Sequence, residues 1–456
     1  MAEQYDLIVI GAGPAGYPAA LKAAGMGKKV AVVDSGNVGG TCLNRGCIPT
    51  KTILHTALLY QELKQGERIG LAGAGPAIHY GKLRERKEEV VRTLQDGILK
   101  LFQKNKIALY QGSASVTPQK TVKITGMGET DRELAGGNIL IATGSRPASP
   151  PIPGADLEGV LNSDELLELK GELFASLVII GGGVIGMEFA TAYQAMGCQV
   201  TVLESMERIL PGMDREISQN LKMIMKKRGA EIHTGAMVKE IVKTPEGLTC
   251  TYVEKGNEEE ARADAVLIAT GRRANTEGLF TDEMTPEMDR GCILVNRHFE
   301  TSIPGIYAAG DVVGGVQLAH AATAEALSAV AAMFGEPETI CFGTVPGCVY
   351  TDPEIACAGL TADEAKERGI QVKVCKYPMS ANGKSVLSLQ ERGFVKVLAD
   401  PASGRILGAQ MMCARATDMI SQFVQAIELG LTLENLGNLI YPHPTFSEAI
   451  GEAVRE

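Results

Sequence analysis

Four short apolar runs frame the chain: Leu7 to Ile10, Val30 to Val33, Leu177 to Ile180 and Val200 to Leu203. Runs of this kind, bounded by turn residues instead of alternating with polar ones, predict strands buried on both faces, the pattern of a parallel sheet. After the first and third runs a glycine-rich turn opens an alanine-rich segment, so each pair predicts a strand, a tight turn, a helix and a second strand. The two units are copies of each other. DLIVIGAGPAGYPAALKAAGMGKKVAVVD and SLVIIGGGVIGMEFATAYQAMGCQVTVLE superimpose with Gly11, Gly13 and Gly16 on Gly181, Gly183 and Gly186, and with Asp34 on Glu204. A second phrase also recurs. NILIATGSRP, from Asn138, and AVLIATGRRAN, from Ala265, each predict a buried strand ending in a Thr-Gly turn, Thr143-Gly144 in the first and Thr270-Gly271 in the second, so that one closes each unit. GIYAAGDV, from Gly305, predicts a strand ending at Gly310-Asp311, where the chain returns to the first unit. From about Cys341 the pattern changes to alternating strands and two helices, which predicts a separate C-terminal domain.

In a chain with 53 glycines a bare GxGxxG arises by chance about 0.7 times, so its context must carry the reading. Strand, turn, helix, strand and terminal carboxylate are the parts of a dinucleotide site, with pyrophosphate at the helix N-terminus and the acid on a ribose hydroxyl. That context disfavours the alternative of glycine-rich turns in a purely structural sheet. Two copies imply two cofactors. Glu204 would bond a free 2′-hydroxyl and repel a 2′-phosphate, which favours NAD over NADP; Arg208 is the one nearby residue that tempers this. The first copy is followed directly by a cysteine motif, and a flavin is the natural candidate there, because it can exchange electrons with both NADH and a disulfide.

That motif, GGTCLNRGCIPTK, spans Gly39 to Lys51 and places Cys42 and Cys47 five positions apart. Thiols at that spacing are expected to meet within about a turn and a half of helix and to interconvert between dithiol and disulfide. Gly39 and Gly40 would allow close backbone approach to a cofactor, Pro49 would fix a turn of chain, and Lys51 would favour a thiolate. A structural disulfide or half a zinc site are the alternatives. The other eight cysteines contain no Cys-x₂-Cys pair, so no metal site is expected.

A length of 456 residues suggests about three domains. The net charge of −10 argues against nucleic acid or an anionic membrane as partner. The stretch Ser176 to Ala192 is too rich in glycine, and too interrupted by Glu188, to span a bilayer. The first apolar run starts at Leu7 with no targeting segment ahead of it, so the expected compartment is the cytoplasm, where unpaired cysteines stay reduced and act mostly as small buried hydrophobes.

These motifs, with LAH at Leu318 to His320 and HPTFSE at His443 to Glu448, resemble the pyridine nucleotide-disulfide oxidoreductases through nearly the whole chain. The resemblance implies an α/β fold of two Rossmann-like domains, the second inserted in the first, plus an α+β C-terminal dimerisation domain. It divides the chain into an FAD domain (1–145), an NAD domain (146–272), a central domain completing the FAD site (273–340) and an interface domain (341–456) that builds a homodimer. It further implies that Cys42 exchanges with dihydrolipoamide and Cys47 faces the flavin, with Lys51 near the flavin and paired with Glu188. Gly40, Thr41, Ala114, Ser145, Asp311, Leu318, Ala319 and His320 join the first fingerprint as FAD-site residues, and Val238 and Gly271 join the second as NAD-site residues. His443, hydrogen-bonded to Glu448, would be the acid/base and would reach the cysteines of the other subunit. Histidine titrates near neutrality, thiol–disulfide exchange needs both a thiolate and a proton donor, and a carboxylate can orient the ring; a rigid turn between Pro442 and Pro444 is the alternative. His55, His79, His233 and His298 are read as surface or packing residues. The implied reaction is oxidation of protein-bound dihydrolipoamide by NAD⁺, the lipoyl group belonging to a 2-oxo-acid dehydrogenase or glycine-cleavage assembly. A glutathione-type disulfide reductase and a non-catalytic flavin scaffold are the alternatives. One departure is Tyr441-Pro442 where the family often has His-Ala, which predicts altered access near the base.

Overall fold

The computed structural model describes residues 3–72, 75–126, 131–390 and 392–456. It comprises two compact units: residues 1–52, 81–148 and 271–340, and residues 53–80, 149–270 and 341–456.

In the first unit, Glu3–Ile10 is flanked in parallel by Val30–Asp34 and Arg132–Ile141, Ala108–Gln111 extends one side, and an antiparallel pair, Thr121–Thr125 and Ser113–Val116, extends the other. The predicted returning strand, Ile306–Ala308, pairs in parallel with Arg132–Ile141. Alternate residues of one strand face opposite layers. Leu7 and Val9 pack with the helices Gly16–Gly25 and Ala319–Met333, whereas Ile8 and Ile10 pack with Val116, Val122 and Ile306. Both faces are therefore covered, which is why the run Leu7 to Ile10 is apolar without alternation.

The second unit contains the inserted fold, a parallel sheet ordered Glu231–Thr234, Gln199–Glu204, Ser176–Ile180, Ala265–Ile268, Val160–Asn162. An antiparallel meander, Ala236–Thr244, Gly247–Glu254 and Asn257–Ala263, packs on it through Ile241, Cys250 and Tyr252. The C-terminal part is a five-stranded antiparallel sheet, Gly347–Val349, Ile355–Gly359, Ile406–Met412, Phe394–Ala399, Lys373–Pro378. Where two helices were expected, six short ones occur among the described residues: Ala362–Glu367, Gly383–Leu387, Ala416–Met419, Ser421–Glu428, Leu433–Gly437 and Glu448–Arg455. They run four to eight residues, the length of a strand, so the sequence does not set them apart by length, and two are set by capping boxes at Thr361 and Thr432. Lys396, its side chain 7% exposed, reaches from this sheet to Asp214 at 2.7 Å and Glu216 at 3.3 Å, at the start of the helix Arg215–Lys227; Glu216 also pairs with Lys376.

Candidate active site

The cysteines lie on two helices, Gly40–Arg45 and Cys47–Lys64, separated at Gly46 (φ −149°, ψ −112°). This corrects the expectation of one continuous helix. A Cβ at Gly46 would sit 3.0 Å from Thr41 O and 3.3 Å from Cys42 Cα, so the break favours a residue without a side chain. Across it Cys42 and Cys47 form a disulfide with Cα atoms 4.6 Å apart. Pro49 makes no turn. It is the third residue of the second helix, where an amide N–H has no intrahelical partner to lose. Lys51 stands four residues after Cys47 in the same helix, hence on the same face.

The redox segment is fastened to the first fingerprint through backbone. Gly40 has φ +58°, and a Cβ on it would lie 2.6 Å from Gly13 Cα. Asn44, between the cysteines, donates to the carbonyls of Gly40 (2.8 Å), Val38 (3.1 Å) and Asn37 (3.2 Å) and accepts from Gln95 at 2.5 Å. Thr41 Oγ1 donates to Ser145 O at 3.4 Å.

The two fingerprints have matching internal geometry. A Cβ on Gly11 would lie 2.3 Å from Ala142 O and one on Gly181 2.4 Å from Ala269 O. One on Gly16 or Gly186 would lie 1.8 or 2.0 Å from the carbonyl oxygen of Gly11 or Gly181. Each turn thus needs its first and third glycines for its own backbone packing, and its middle glycine borders the space where a pyrophosphate would lie. The terminal acids, expected on ribose hydroxyls, also hold the turns: Asp34 accepts from Ala12 N (2.6 Å) and Gly36 N (2.7 Å), Glu204 from Gly182 N (2.6 Å) and Met206 N (2.6 Å). A cradle already shaped in this way fits dinucleotides at both places.

The repeated Thr-Gly phrases bring in residues that the sequence did not single out. Ser145–Pro147 and Arg272–Ala274 pair antiparallel, and Asn275 Nδ2 donates to Thr143 O at 3.0 Å while Thr143 Oγ1 donates to Asn275 O at 2.7 Å. Arg272 donates to Ser145 Oγ and Ser145 O, both at 2.7 Å, and Ser145 Oγ donates to Asp311. Gly144 lies in this turn with φ +67°, and Gly271 opens the return strand, its carbonyl accepting from Ala148 N at 2.9 Å. Just before Asp311, Gly310 N donates to Glu325 at 2.7 Å. Burial raises the Glu325 carboxyl above the usual range, and nearby Asp311 adds to this, against the Gly310 hydrogen bond. Leu318 precedes the helix that begins with Ala319 and His320, and Thr323 of that helix donates to Pro14 O at 2.8 Å. The Ser-Arg equivalence of the repeated phrases was the available signal for Arg272. Glu325, one acid in an alanine-rich helix, offered none.

Ala114 lies in the strand Ser113–Val116 opposite Ile124, and Val238 in the meander opposite Tyr252. Glu188 is 3% exposed and accepts from Tyr350 N at 3.0 Å, within the second unit; Lys51 belongs to the first. His443 Nδ1 and Glu448 Oε1 are 2.8 Å apart, and the Glu448 carboxylate, first residue of the terminal helix, also accepts from Thr445 N at 2.7 Å. The Thr445 hydrogen bond and His443 hold the Glu448 carboxyl below its usual range. The imidazole itself is 77% exposed. Tyr441, expected to alter access, points elsewhere: it packs onto Gly451, where a Cβ would lie 2.5 Å from its ring, and its hydroxyl donates to Leu436 O at 3.3 Å. Cys198, Cys250, Cys375 and Cys413 are buried, and burial pushes Cys198, Cys250 and Cys413 up to about 12; Cys341 is exposed, unlike the expectation for most unpaired cysteines. His233 pairs with Glu254 at 2.7 Å and lies against Tyr252 with the rings tilted by 56°. Among the described residues no helix is long and apolar enough to cross a membrane.

Two copies of a nucleotide cradle, one fastened to a redox disulfide, define a class. Residues 5–326 match the family described as pyridine nucleotide-disulphide oxidoreductase and residues 345–454 match that family's dimerisation domain; the chain belongs to this family, flavoprotein enzymes that use FAD and a pyridine nucleotide. Within it, the chain is 40% identical to a dihydrolipoyl dehydrogenase of Bacillus subtilis, over 99% of this chain and 98% of that protein. It is 38% identical to a dihydrolipoyl dehydrogenase of Geobacillus stearothermophilus, over 98% of this chain and 95% of that protein. Among solved structures it is similar to the HOCl-induced flavoprotein disulfide reductase RclA from Escherichia coli, with TM-score 0.89, 30% identity and 99% of each chain covered.

Proposed function

We propose that the chain is a dihydrolipoyl dehydrogenase: a cytoplasmic homodimer that oxidises dihydrolipoamide carried by a 2-oxo-acid dehydrogenase or glycine-cleavage protein, with NAD⁺ as acceptor. The observation that carries this reading is the Cys42–Cys47 disulfide joined through Gly40 to the first fingerprint. In this reading Gly11, Gly13, Gly16, Asp34, Thr41, Ser145 and Asp311 hold FAD, and Gly181, Gly183, Gly186, Glu204, Val238 and Gly271 hold NAD. When bound, FAD supplies two-electron exchange between a dithiol and a nicotinamide.

The chain's own part is thiol chemistry. One substrate thiolate attacks Cys42 Sγ, the Cys42–Cys47 bond breaks, and Cys47 leaves as a thiolate stabilised by Lys51. The second substrate thiol gives its proton to His443 and attacks the substrate sulfur of the mixed disulfide, which closes lipoamide and releases Cys42. The substrate dithiol is oxidised and the enzyme disulfide reduced, two electrons on each side. Glu448, held ionised, orients the ring and balances the imidazolium. In this reading Lys51 pairs with Glu188 of the second fingerprint, and His443 serves the cysteines of the opposite subunit.

The assay is NAD⁺ reduction by free dihydrolipoamide, compared with NADPH-driven disulfide reduction, on wild type and Cys42→Ser. Robust lipoamide turnover that Cys42→Ser abolishes is expected. Turnover that survives Cys42→Ser overturns the disulfide as catalytic centre, and activity confined to NADPH and another disulfide moves the chain to the reductases of its family.

A further inference from the structure

Arg208 stands four residues beyond Glu204, and on the loop from Ser205 to Leu210 it is the one cation. That loop is fixed beside the second fingerprint: Met206 N donates to Glu204 at 2.6 Å, Gly235 N to Met206 O at 2.8 Å, and Leu210 N to Gly182 O at 2.8 Å. An arginine so placed is long enough to serve a 2′-phosphate on a ribose held by Glu204. In the structure its guanidinium is already engaged. Nη1 donates to Asp363 Oδ2 at 3.0 Å and Nη2 to Pro211 O at 2.9 Å. Asp363, in the first turn of Ala362–Glu367, is contributed by the C-terminal domain and also accepts from Arg215 N at 3.1 Å. Partial burial would raise its carboxyl, but the Arg208 and Arg215 hydrogen bonds outweigh this and hold it below the usual range, so it is ionised at neutral pH.

We propose that Asp363 is a specificity-determining residue for the nucleotide: by holding Arg208 it withholds the loop's cation from the 2′ position and reinforces the preference for NAD set by Glu204. The proposal rests on reading the second fingerprint as the NAD site. Asp363 is a positioning residue that acts through Arg208, and the C-terminal domain thereby takes part in nucleotide choice.

The test is equilibrium binding of NAD⁺ and of NADP⁺ to the FAD-loaded oxidised enzyme, by calorimetry, for wild type, Asp363→Asn, Arg208→Ala and the double variant. Asp363→Asn keeps an oxygen for Arg215 N–H while removing the charge, so Arg208 is left with a neutral hydrogen bond that a phosphate can displace; Asp363→Ser is the substitute if that variant does not load FAD. Loosening the guanidinium for a charge-assisted hydrogen bond should tighten NADP⁺ binding about tenfold and leave NAD⁺ within about twofold. In the double variant the gain should vanish. An unchanged NADP⁺ affinity in Asp363→Asn, or a gain that persists without Arg208, overturns the proposal. Wild type that binds NADP⁺ as tightly as NAD⁺ refutes the NAD reading instead, a result visible before any variant is made.

Discussion

The two fingerprints share a backbone design and differ in what surrounds them. In the first, the middle glycine is covered: Gly13 is buried, its own Cβ would lie 3.6 Å from Gly40 Cα, and the terminal acid, Asp34, is half-exposed. In the second, a Cβ on Gly183 would meet nothing within 4 Å, and Glu204 is buried at 6% exposure. The first copy is packed directly against the redox segment, so that cradle and disulfide are joined through backbone contact. In the second no protein atom covers the middle glycine, and the terminal carboxylate is buried against its own turn. One backbone design thus supports two different sites, the difference lying in what each turn is packed against.

This contrast can be broken most severely at Gly40. Gly40→Ala would place a methyl 2.6 Å from Gly13 Cα at a positive φ, so the purified protein should carry almost no flavin, measured as flavin absorbance per chain. Next in size is His443→Gln. A positioned base contributes ~10²–10⁴ in rate, so dithiol oxidation should fall by about that factor, while NADH-driven reduction of an artificial acceptor survives. Mixing His443→Gln with Cys42→Ser subunits should restore activity in heterodimers, because one of their two sites is then wild-type in both residues. Because the Glu448 carboxyl is depressed, its stabilising contact is present above the ordinary carboxylate value near 4.5 and is lost only as pH falls below it, so the loss of thermal stability in Glu448→Gln should be full at about pH 5 and above and shrink below pH 4.5.

Glu204→Gln leaves one acceptor for two backbone donors in a buried position, and NAD⁺ affinity should drop about tenfold by titration with flavin content unchanged. The smallest effect on the fold is expected at Gly183→Ala, where no protein atom lies within 4 Å of the added methyl: flavin content and thermal stability should match wild type while NAD⁺ affinity falls, against wholesale loss of the fold for the equivalent change at Gly181. A large loss of NAD⁺ affinity at Gly183 would show that the bound nucleotide comes as close to this turn as Gly40 does to the other.

The two cradles were readable in the sequence because their signals are local: apolar runs, glycines at fixed offsets and an acid at the next strand end. The returning strand at Ile306–Ala308 was readable from the same kind of run. What stayed hidden depends on distance along the chain or on backbone conformation. The partners of Asn44, Ser145 and Gly310 are Gln95, Arg272 and Glu325, and only Arg272 echoes a repeated phrase. The break at Gly46 was hidden because the spacing of two cysteines fits one helix as well as two, and only the Gly46 backbone separates the cases. The short C-terminal helices were hidden by their length: three carry side-chain caps, at Thr361, Asn382 and Thr432, while Ser421–Glu428 and Glu448–Arg455 rest on one buried apolar face.

Lys396 has a consequence for biosynthesis. The carboxylates that receive it, Asp214 and Glu216, leave the ribosome well before the strand Phe394–Ala399 does, and the lysine has little access to water once that strand is in place. The strand therefore emerges after its counter-charges, and it can bury this lysine only once the segment that carries them is available. Expressed alone, the C-terminal domain would carry an ammonium shaped for burial with neither of these acids beside it, a strong bias against independent folding.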